Sequence, residues 1–185
     1  MNNIITSKED ILKASRELIK ENGLNAINIR SVAKASNIAV GSIYNYFNSK
    51  EELTIAVVGS VWFDIFHPAN VCLESDSFID SVDIIFQSLE KGNEKYPNFF
   101  SYHSSMIFGK NKDKGVNMMN TIIKHMKDGL YKTLSNDKKV RSDAFDDNFT
   151  ANKFIDTIFS FIMSSMMKGD YDSSAIREII KRTIY

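Results

Sequence analysis

The stretch VGSIYNYFNSKEEL, residues 40 to 53, places hydroxyl, amide and ammonium groups close together. Serine and tyrosine hydroxyls can donate hydrogen bonds to phosphate oxygens, and an asparagine amide can read the edge of an adenine. Lys50 falls in the first turn of a predicted helix, where its ammonium and the backbone N–H groups can together hold a phosphate. These groups have the chemistry needed to contact a nucleic acid.

Part of the same stretch has a helical face that cannot be buried. Ile43 and Phe47 are four residues apart and take the inward positions of a helix that begins near residue 40. The remaining, outward positions belong to Ser42, Tyr44, Asn45 and Tyr46. A helix that exposes hydroxyls and an amide, but no acid, suits the major groove of DNA. Half-buried packing of the tyrosines, with their hydroxyls in water, is the alternative.

The chain has no net charge, with 23 basic and 23 acidic residues, but the charges are unevenly distributed. The 28 residues from Gly23 to Lys50 contain no Asp or Glu, while Arg30, Lys34 and Lys50 give them a charge of +3. A surface without carboxylates suits a phosphate backbone, because acids would repel it. A chance gap in the acidic residues explains the same pattern.

Capping signals divide the first part of the chain into helices. Ser7 and Asp10 have the spacing of a capping box, and Gly23 is placed to end the helix that they begin. Ser49 and Glu52 repeat that spacing and predict the start of a long connecting helix that reaches about residue 66.

Two short helical segments lie between these signals. They are IRSVAKAS and VGSIYNYF, the second predicted to run for about two turns. Asn37 lies between them, where the turn needs a left-handed backbone that asparagine tolerates. The segment lengths and their separation are those of a helix-turn-helix.

The rest of the chain keeps the helical spacing of apolar residues, so we predict an all-α protein. The chain has only two prolines and eight glycines, and no run of residues alternates as a half-buried strand would. A short aromatic helix is predicted after Pro97. Three further segments carry apolar stripes: Phe78, Val82, Ile85, Phe86 and Leu89; Met119, Ile122, Ile123, Met126 and Leu130; and Ile176, Ile179, Ile180 and Ile184.

The segment NKFIDTIFSFIMSSMMKG, residues 152 to 169, is apolar nearly all round. One apolar face is enough for a monomer core, so we expect the last two helices to form a homodimer interface across a two-fold axis. A dimer would hold two recognition helices about 34–36 Å apart, as a palindromic operator requires. Complete burial within one subunit is the alternative.

Phenylalanine and methionine side chains of the middle helices could line a mostly apolar effector pocket with adaptable walls. The candidates are Phe86, Phe100, Tyr102, Met106, Met119, Met126 and Phe159. Each of them is equally explained as ordinary core, because a stripe at helical spacing needs no ligand.

Signals of catalysis are missing from the sequence. It has no glycine-rich phosphate loop, no nucleophile elbow and no histidine pair at metal-ligand spacing, so we predict no enzyme activity, metal or cofactor. His125 and Asp128 could share a proton or a metal, but a surface hydrogen bond explains them as well. The single Cys72 fits a reducing cytoplasm. No apolar run approaches the roughly 18 residues of a membrane span, so a cytoplasmic protein without a membrane partner is expected.

The run IRSVAKASNIAVGSIYNYFNSKEEL, residues 29 to 53, resembles the DNA-binding segment of the TetR family of bacterial transcriptional regulators. The resemblance covers roughly residues 7 to 66. The residues that match the family pattern are Gly41, Ser42, Ile43, Tyr44, Tyr46, Phe47, Ser49, Lys50, Glu51 and Leu53. The chain departs from that pattern at Asn37, where glycine is common, at Ala39, where a serine is common, and at Val40, where a polar residue is common.

The resemblance implies a set of DNA contacts. It implies that phosphates are contacted by Ser42, Tyr44 and Lys50, with Tyr46 at the same backbone surface. It places at the base edges Val40, Gly41 and Asn45. A further contact position, near the start of the second helix, is occupied by Arg30.

The resemblance also implies a domain plan. Residues 1–54 would be a helix-turn-helix DNA-binding domain, and residues 55–185 a helical effector-binding and dimerisation domain. Such a protein would be a homodimeric repressor that binds a palindromic operator in double-stranded DNA and is released by a small apolar ligand. The alternative is a helical module on the same scaffold that binds a small molecule or a protein, but not DNA.

Overall fold

The computed structural model describes residues 6–66, 75–101 and 112–185, and in these ranges every regular element is helical. This confirms the predicted all-α fold. None of the described helices is both long and apolar enough to cross a membrane. In chain order the helices are α1 (Lys8–Asn22), a short 3-10 helix (Leu24–Ala26), α2 (Ile29–Ala35), α3 (Val40–Ile43), α4 (Lys50–Phe66), α5 (Phe78–Lys95), α6 (Lys112–Asn136), α7 (Ala151–Lys168) and α8 (Ser174–Ile184).

The ends of α1 are fixed by the predicted caps. Ser7 Oγ accepts a hydrogen bond of 3.1 Å from the Asp10 N–H, and the Asp10 carboxylate accepts one of 2.9 Å from the Ser7 N–H. Gly23 ends the helix with φ +73°, a conformation that costs glycine little. Ile11 and Ile19 are fully buried along the inner face.

The start of α4 differs in detail from the predicted capping box. Ser49 Oγ accepts the Glu52 N–H at 3.1 Å, as expected. The Glu52 carboxylate, however, accepts from the Asn48 N–H at 3.0 Å and from Asn48 Nδ2 at 2.8 Å. The reciprocal bond is therefore made one residue earlier than the spacing predicts, because Asn48 offers two donors.

The chain packs as two units. The first comprises Met1–Asp64 and Asn93–Met118, and the second Ile65–Gly92 and Met119–Tyr185. The functional boundary expected after residue 54 stays a prediction, since the packing boundary is a different property and lies within α4.

In the first unit, aromatic residues that follow α5 pack against α4. The ring centroid of Trp62 lies 6.0 Å from that of Phe99 and 5.5 Å from that of Phe100. Residues 99–101 are helical, and the remainder of the predicted aromatic helix lies outside the described residues.

The core of the second unit contains most of the predicted apolar stripes. The predicted stripe of α5 is buried throughout, namely at Phe78, Val82, Ile85, Phe86 and Leu89. The ring centroid of Phe78 lies 5.5 Å from that of Phe154. On α6 only the two ends of the stripe, Met119 and Leu130, are buried. The three residues between them, Ile122, Ile123 and Met126, are half-buried, and on α8 Ile179 is exposed. These four predicted core positions are therefore accessible to solvent in part.

The prediction that α7 is apolar nearly all round is wrong. The face opposite its core is polar, and its exposed residues include Asp156, Thr157, Ser160 and Ser164. The Thr157 and Ser160 hydroxyls donate to carbonyl oxygens four residues earlier, at 2.9 and 2.7 Å, so short polar side chains are satisfied on the helix itself. Apolar exposure on this helix is limited to a half-buried Phe161 and Met163 and an exposed Met167. The homodimer stays a prediction.

Candidate nucleic-acid interface

The segment from α2 through α3 has the geometry of a helix-turn-helix. α2 begins at Asn28, whose Oδ1 accepts from the N–H groups of Arg30 and Ser31 at 3.1 and 3.0 Å. Ser31 Oγ in turn accepts from the Asn28 N–H at 3.1 Å, a capping box that sequence reasoning missed although its spacing is present. Asn37 has φ +54°, which confirms the predicted left-handed turn.

The second helix of this motif is shorter than the predicted two turns. α3 spans Val40–Ile43, and the chain then tightens into i→i+3 bonds, such as Tyr44 N–H to the Gly41 carbonyl at 3.2 Å. The prediction was wrong at the C-terminal end, because apolar residues keep helical spacing to Phe47 while the backbone tightens after Ile43. At the other end, Ala39 at the N-cap supplies no side-chain acceptor, so the helix gains little local support. We call residues 40–47 the recognition turn.

The recognition turn has one buried side and one exposed side, but only two of the four side chains predicted to face outward are exposed. Ile43 and Phe47 have no exposed surface. Tyr44 is 53% exposed and Val40 43%, and Gly41 and Asn45 are exposed as well. Ser42 and Tyr46 are half-buried. The Val40 side chain, the Asn45 amide and the Tyr44 phenol are therefore all available to a partner.

The two tyrosines of the recognition turn differ in their bonding. The Tyr46 hydroxyl donates a hydrogen bond of 2.5 Å to the Thr6 carbonyl oxygen, and its ring is partly buried. The Tyr44 hydroxyl has no hydrogen bond to any residue that the structure describes. The Thr6 contact joins residues 40 positions apart, so no local sequence signal could have indicated it.

The cations near the recognition turn are not neutralised. Arg30, Lys34 and Lys50 are exposed, and none forms an ion pair within the described ranges. Two basic residues of α1 behave differently, since Arg16 pairs with Glu9 at 2.9 Å and Lys20 with Glu17 at 2.6 Å. Three unpaired cations beside an acid-free surface create a positive potential. From the sequence, Lys34 contributes only to the charge of the segment. In the structure it is exposed and forms no ion pair with a described residue, so it is a third cation available to a partner.

The first acids after this surface are engaged by the start of α4. Glu52 accepts hydrogen bonds from Asn48, and the pKa of Glu51 is lowered by its own backbone N–H and by the Ser49 hydroxyl. These carboxylates occupy part of the hydrogen-bonding capacity of the first turn. The Lys50 ammonium has no acidic partner among the described residues and stays free to donate.

Gly41 is not required by the fold. A Cβ at this position would meet no other atom within 4 Å, and the backbone lacks the positive φ seen at Gly23. Glycine in a helix lowers stability by about 0.5–1 kcal/mol relative to alanine. A glycine that the fold does not require therefore indicates a functional reason for its presence. Close approach of a partner to the backbone is such a reason.

Of the predicted effector residues that the structure describes, four lie in the second unit and one in the first. Phe86, Met119 and Phe159 are buried in the second unit, where Met126 is half-buried. Phe100 packs beside Trp62 in the first unit. The other two candidates, Tyr102 and Met106, lie outside the described residues.

Comparison with known proteins identifies the N-terminal segment. Residues 11–57 match the family described as bacterial regulatory proteins, tetR family. The transcriptional regulator UidR of Escherichia coli is 38% identical over 48 residues, which cover 26% of this chain and 24% of UidR. The transcriptional repressor KstR of Mycolicibacterium smegmatis is 35% identical over 52 residues, 28% of this chain and 26% of KstR. The matched part thus spans about a quarter of these relatives.

The fold extends the likeness over nearly the whole chain. The transcriptional regulator FadR of Bacillus subtilis, solved in complex with stearoyl-CoA, superimposes with a TM-score of 0.67, covering 95% of this chain and 96% of FadR. Its sequence identity is 19%, so this comparison speaks for the fold alone. Over residues 11–57, the chain is therefore similar to the tetR family of bacterial regulatory proteins.

Proposed function

We propose that the protein is a DNA-binding transcriptional regulator, a homodimeric repressor that binds a palindromic operator and is released by an apolar ligand. One observation carries the proposal: the recognition turn exposes hydrogen-bonding groups beside three cations that have no acidic partner among the described residues. An acid-free surface that carries unpaired cations has a positive potential, which attracts an anionic partner. The match to regulatory proteins supports that partner being DNA.

Each group on this surface has a role suited to its chemistry. The Tyr44 hydroxyl and the Lys50 ammonium are free donors for phosphate oxygens, and the half-buried Ser42 adds a further hydroxyl. Asn45 can form paired hydrogen bonds with an adenine, and Val40 can contact a thymine methyl group. Arg30 adds a further cation at the start of α2.

Dimer formation is supported by apolar groups that the chain leaves in solvent. Met167 of α7 and Ile179 of α8 are each 49% exposed, and both lie on the last two helices. A two-fold axis through these helices would bury them and repeat the recognition turn at the spacing of a palindrome.

The effector proposal rests on the second unit. Phe86, Met119 and Phe159 are buried there and would line an apolar pocket, and the half-buried Met126 is an adaptable side chain. FadR, which has the same fold, holds stearoyl-CoA. We therefore expect a ligand with a long acyl chain, and stearoyl-CoA is the first compound to test.

A second candidate function is the helical module that binds no DNA. It is favoured by the short α3 and by the missing cap at Ala39, which together weaken local support for the recognition turn. The two functions differ in one measurable property, namely binding to a duplex at low salt.

The test is selection of duplexes from random DNA by the full chain, followed by affinity measurements at several salt concentrations. We expect a palindromic sequence and a steep loss of affinity with salt. Lys50→Ala should reduce the slope of log K against log salt by about 1, and Asn45→Ala should relax base preference by about 1–3 kcal/mol. Lys168→Ala, at the exposed end of α7, is the matched control and should leave the slope unchanged. A chain that binds no duplex at low salt would refute the proposal in favour of the second candidate.

The effector is tested with the selected duplex. Addition of stearoyl-CoA should release the protein from it, and coenzyme A without an acyl chain should not. Release by both compounds, or by neither, would contradict an acyl effector while leaving DNA binding in place.

A further inference from the structure

Tyr44 and Tyr46 are two residues apart in the recognition turn, but their hydroxyls are in different states. The Tyr46 hydroxyl donates its hydrogen bond to the Thr6 carbonyl oxygen at 2.5 Å. Tyr44 is 53% exposed, and its hydroxyl is unbonded within the part of the chain that the structure describes. The family pattern treats both positions as DNA-facing, so this difference separates two roles.

Hydrogen-bond chemistry decides which tyrosine can reach a phosphate. Phosphate oxygens accept hydrogen bonds, and a tyrosine hydroxyl has a single proton to donate. A backbone carbonyl is also only an acceptor, so the Tyr46 proton must point at Thr6 for the observed bond to exist. Tyr46 cannot make that bond and donate to a phosphate at the same time, whereas Tyr44 is free to donate.

The residues that receive the Tyr46 bond are themselves firmly held. Thr6 directly precedes Ser7, which is fixed by the capping box of α1. A second contact joins the same two segments, because the Lys8 ammonium lies 5.1 Å from the centre of the Phe47 ring. Residues 6–8 thus hold residues 46–47 at two points.

The recognition turn needs such external support. α3 has only four residues, and its N-cap, Ala39, makes no side-chain hydrogen bond. A helix of one turn is not stable by itself, so tertiary contacts must fix its shape. The buried Ile43 and Phe47 anchor one side of the turn, and the Tyr46 bond fixes the end that follows Tyr44 and Asn45.

We propose that Tyr46 is a positioning residue: by bonding to Thr6 it sets the orientation in which Tyr44 and Asn45 meet DNA, and it donates no hydrogen bond to phosphate. The inference rests on the proposed DNA-binding function. It replaces the backbone contact that the family resemblance implies for Tyr46.

The experiment compares Tyr46→Phe with Tyr44→Phe in the full chain, on the duplex selected for the wild type. Each phosphate of the duplex is replaced singly by an uncharged methylphosphonate, and each substitution is combined with each variant. A direct contact is coupled to the phosphate that it touches, whereas a positioning residue is coupled only to a phosphate touched by the residue that it positions. We expect Tyr44→Phe to be coupled to one phosphate. We expect Tyr46→Phe to be coupled to that phosphate alone and to lose this coupling in the Tyr44→Phe background.

A second measurement separates positioning from a loss of folding. Tyr46→Phe should lower affinity for the selected duplex about threefold to tenfold relative to an unrelated duplex, the range that one neutral hydrogen bond supplies. Partial unfolding would lower binding to both duplexes equally and would leave this ratio unchanged. Thr6→Ala is the matched control, because the acceptor is a backbone carbonyl that the substitution keeps.

The outcomes distinguish a failure of the positioning role of Tyr46 from a failure of the proposed DNA binding. Coupling of Tyr46→Phe to a phosphate other than that of Tyr44, or coupling that persists in the Tyr44→Phe background, would overturn the positioning role, as would an unchanged affinity ratio. A wild-type chain that binds no duplex would overturn the proposed function, and this inference with it.

Discussion

Asp64 of α4 and Tyr96, the residue after α5, are joined by a hydrogen bond of 2.8 Å from the tyrosine hydroxyl to Asp64 Oδ2. The Lys95 ammonium donates to the same oxygen at 2.6 Å, and the Lys20 ammonium of α1 lies 5.9 Å from the centre of the Tyr96 ring. Burial raises the pKa of Asp64, but the hydrogen bonds from Lys95 and Tyr96 outweigh it and hold the pKa below its usual value. The cluster therefore joins three helices of the first unit through one carboxylate.

Tyr96→Phe should lower the free energy of unfolding by about 1–3 kcal/mol, because a buried hydroxyl loses a charged acceptor. Urea denaturation at pH 7 measures the loss. Tyr171→Phe is the control, since Tyr171 is half-buried and its hydroxyl has no bond to a described residue.

The same pair predicts a pH dependence. The pKa of Asp64 is lower in the folded chain than its usual value of 3.8, so its stabilising effect is complete above about pH 4 and is lost as the pH falls through the folded pKa. The difference between wild type and Tyr96→Phe should accordingly shrink below pH 4. A difference that stays constant down to pH 2 would show that the charge of Asp64 contributes nothing to the bond.

Gly41→Ala should separate stability from DNA binding. Because the added methyl group meets open space, we expect stability to stay constant or to rise by up to about 1 kcal/mol. Affinity for the selected duplex should fall about tenfold, or ~1.4 kcal/mol, if DNA approaches this backbone closely. Gly115→Ala adds a methyl group to similarly open space in α6 and should not alter binding. Equal affinities for wild type and Gly41→Ala would leave this glycine without a functional reason.

Local features of the fold were predictable from the sequence because their causes are local. The cap at Ser7, the end of α1 at Gly23 and the left-handed Asn37 each depend on a few neighbouring residues. The exposed side of the recognition turn was also predictable, because Ile43 and Phe47 define the opposite side by their spacing.

Features set by contacts between distant residues could not be predicted. The bonds from Tyr46 to Thr6 and from Tyr96 to Asp64 join residues 40 and 32 positions apart, and no spacing rule connects them. The length of α3 was overestimated because helical spacing continues to Phe47, while the backbone tightens after Ile43. The polar face of α7 was not predicted, because its serine and threonine residues are short and lie between many large apolar residues in the sequence.

Asn37 offers a matched pair of substitutions in the turn of the helix-turn-helix. Its φ of +54° costs alanine roughly 1–2 kcal/mol, whereas glycine adopts it freely. Asn37→Ala should therefore lower the unfolding free energy by that amount, and Asn37→Gly should change it by less than about 1 kcal/mol. Thermal unfolding of the two variants checks this. Equal losses would mean that the asparagine side chain, and not the backbone conformation, stabilises the turn.

Asp137 joins the start of α5 to the end of the chain, and this junction predicts an alkaline loss of stability. Its carboxylate accepts hydrogen bonds from the Phe78 N–H at 2.9 Å, from the Lys139 N–H at 3.0 Å and from the Tyr185 hydroxyl. Burial, followed by the bond to Asp137, raises the pKa of Tyr185 to about 12. The neutral phenol is therefore favoured in the folded chain.

The sign follows from proton linkage. In the unfolded chain Tyr185 ionises near its ordinary pKa of 10.0, while in the folded chain it keeps its proton up to about pH 12. Its stabilising effect is complete below pH 10 and is lost as the pH rises towards 12.

At pH 8, Tyr185→Phe should lower the free energy of unfolding by about 1–3 kcal/mol through the lost bond to a carboxylate. Urea denaturation between pH 8 and 11 should then show a shallower alkaline decline for Tyr185→Phe than for wild type, with the exposed Tyr131→Phe behaving as wild type. If wild type and Tyr185→Phe lose stability in parallel as the pH rises, another residue causes the alkaline loss. Tyr96 would then be the next residue to change, because burial and the bond to Asp64 raise the pKa of Tyr96 as well.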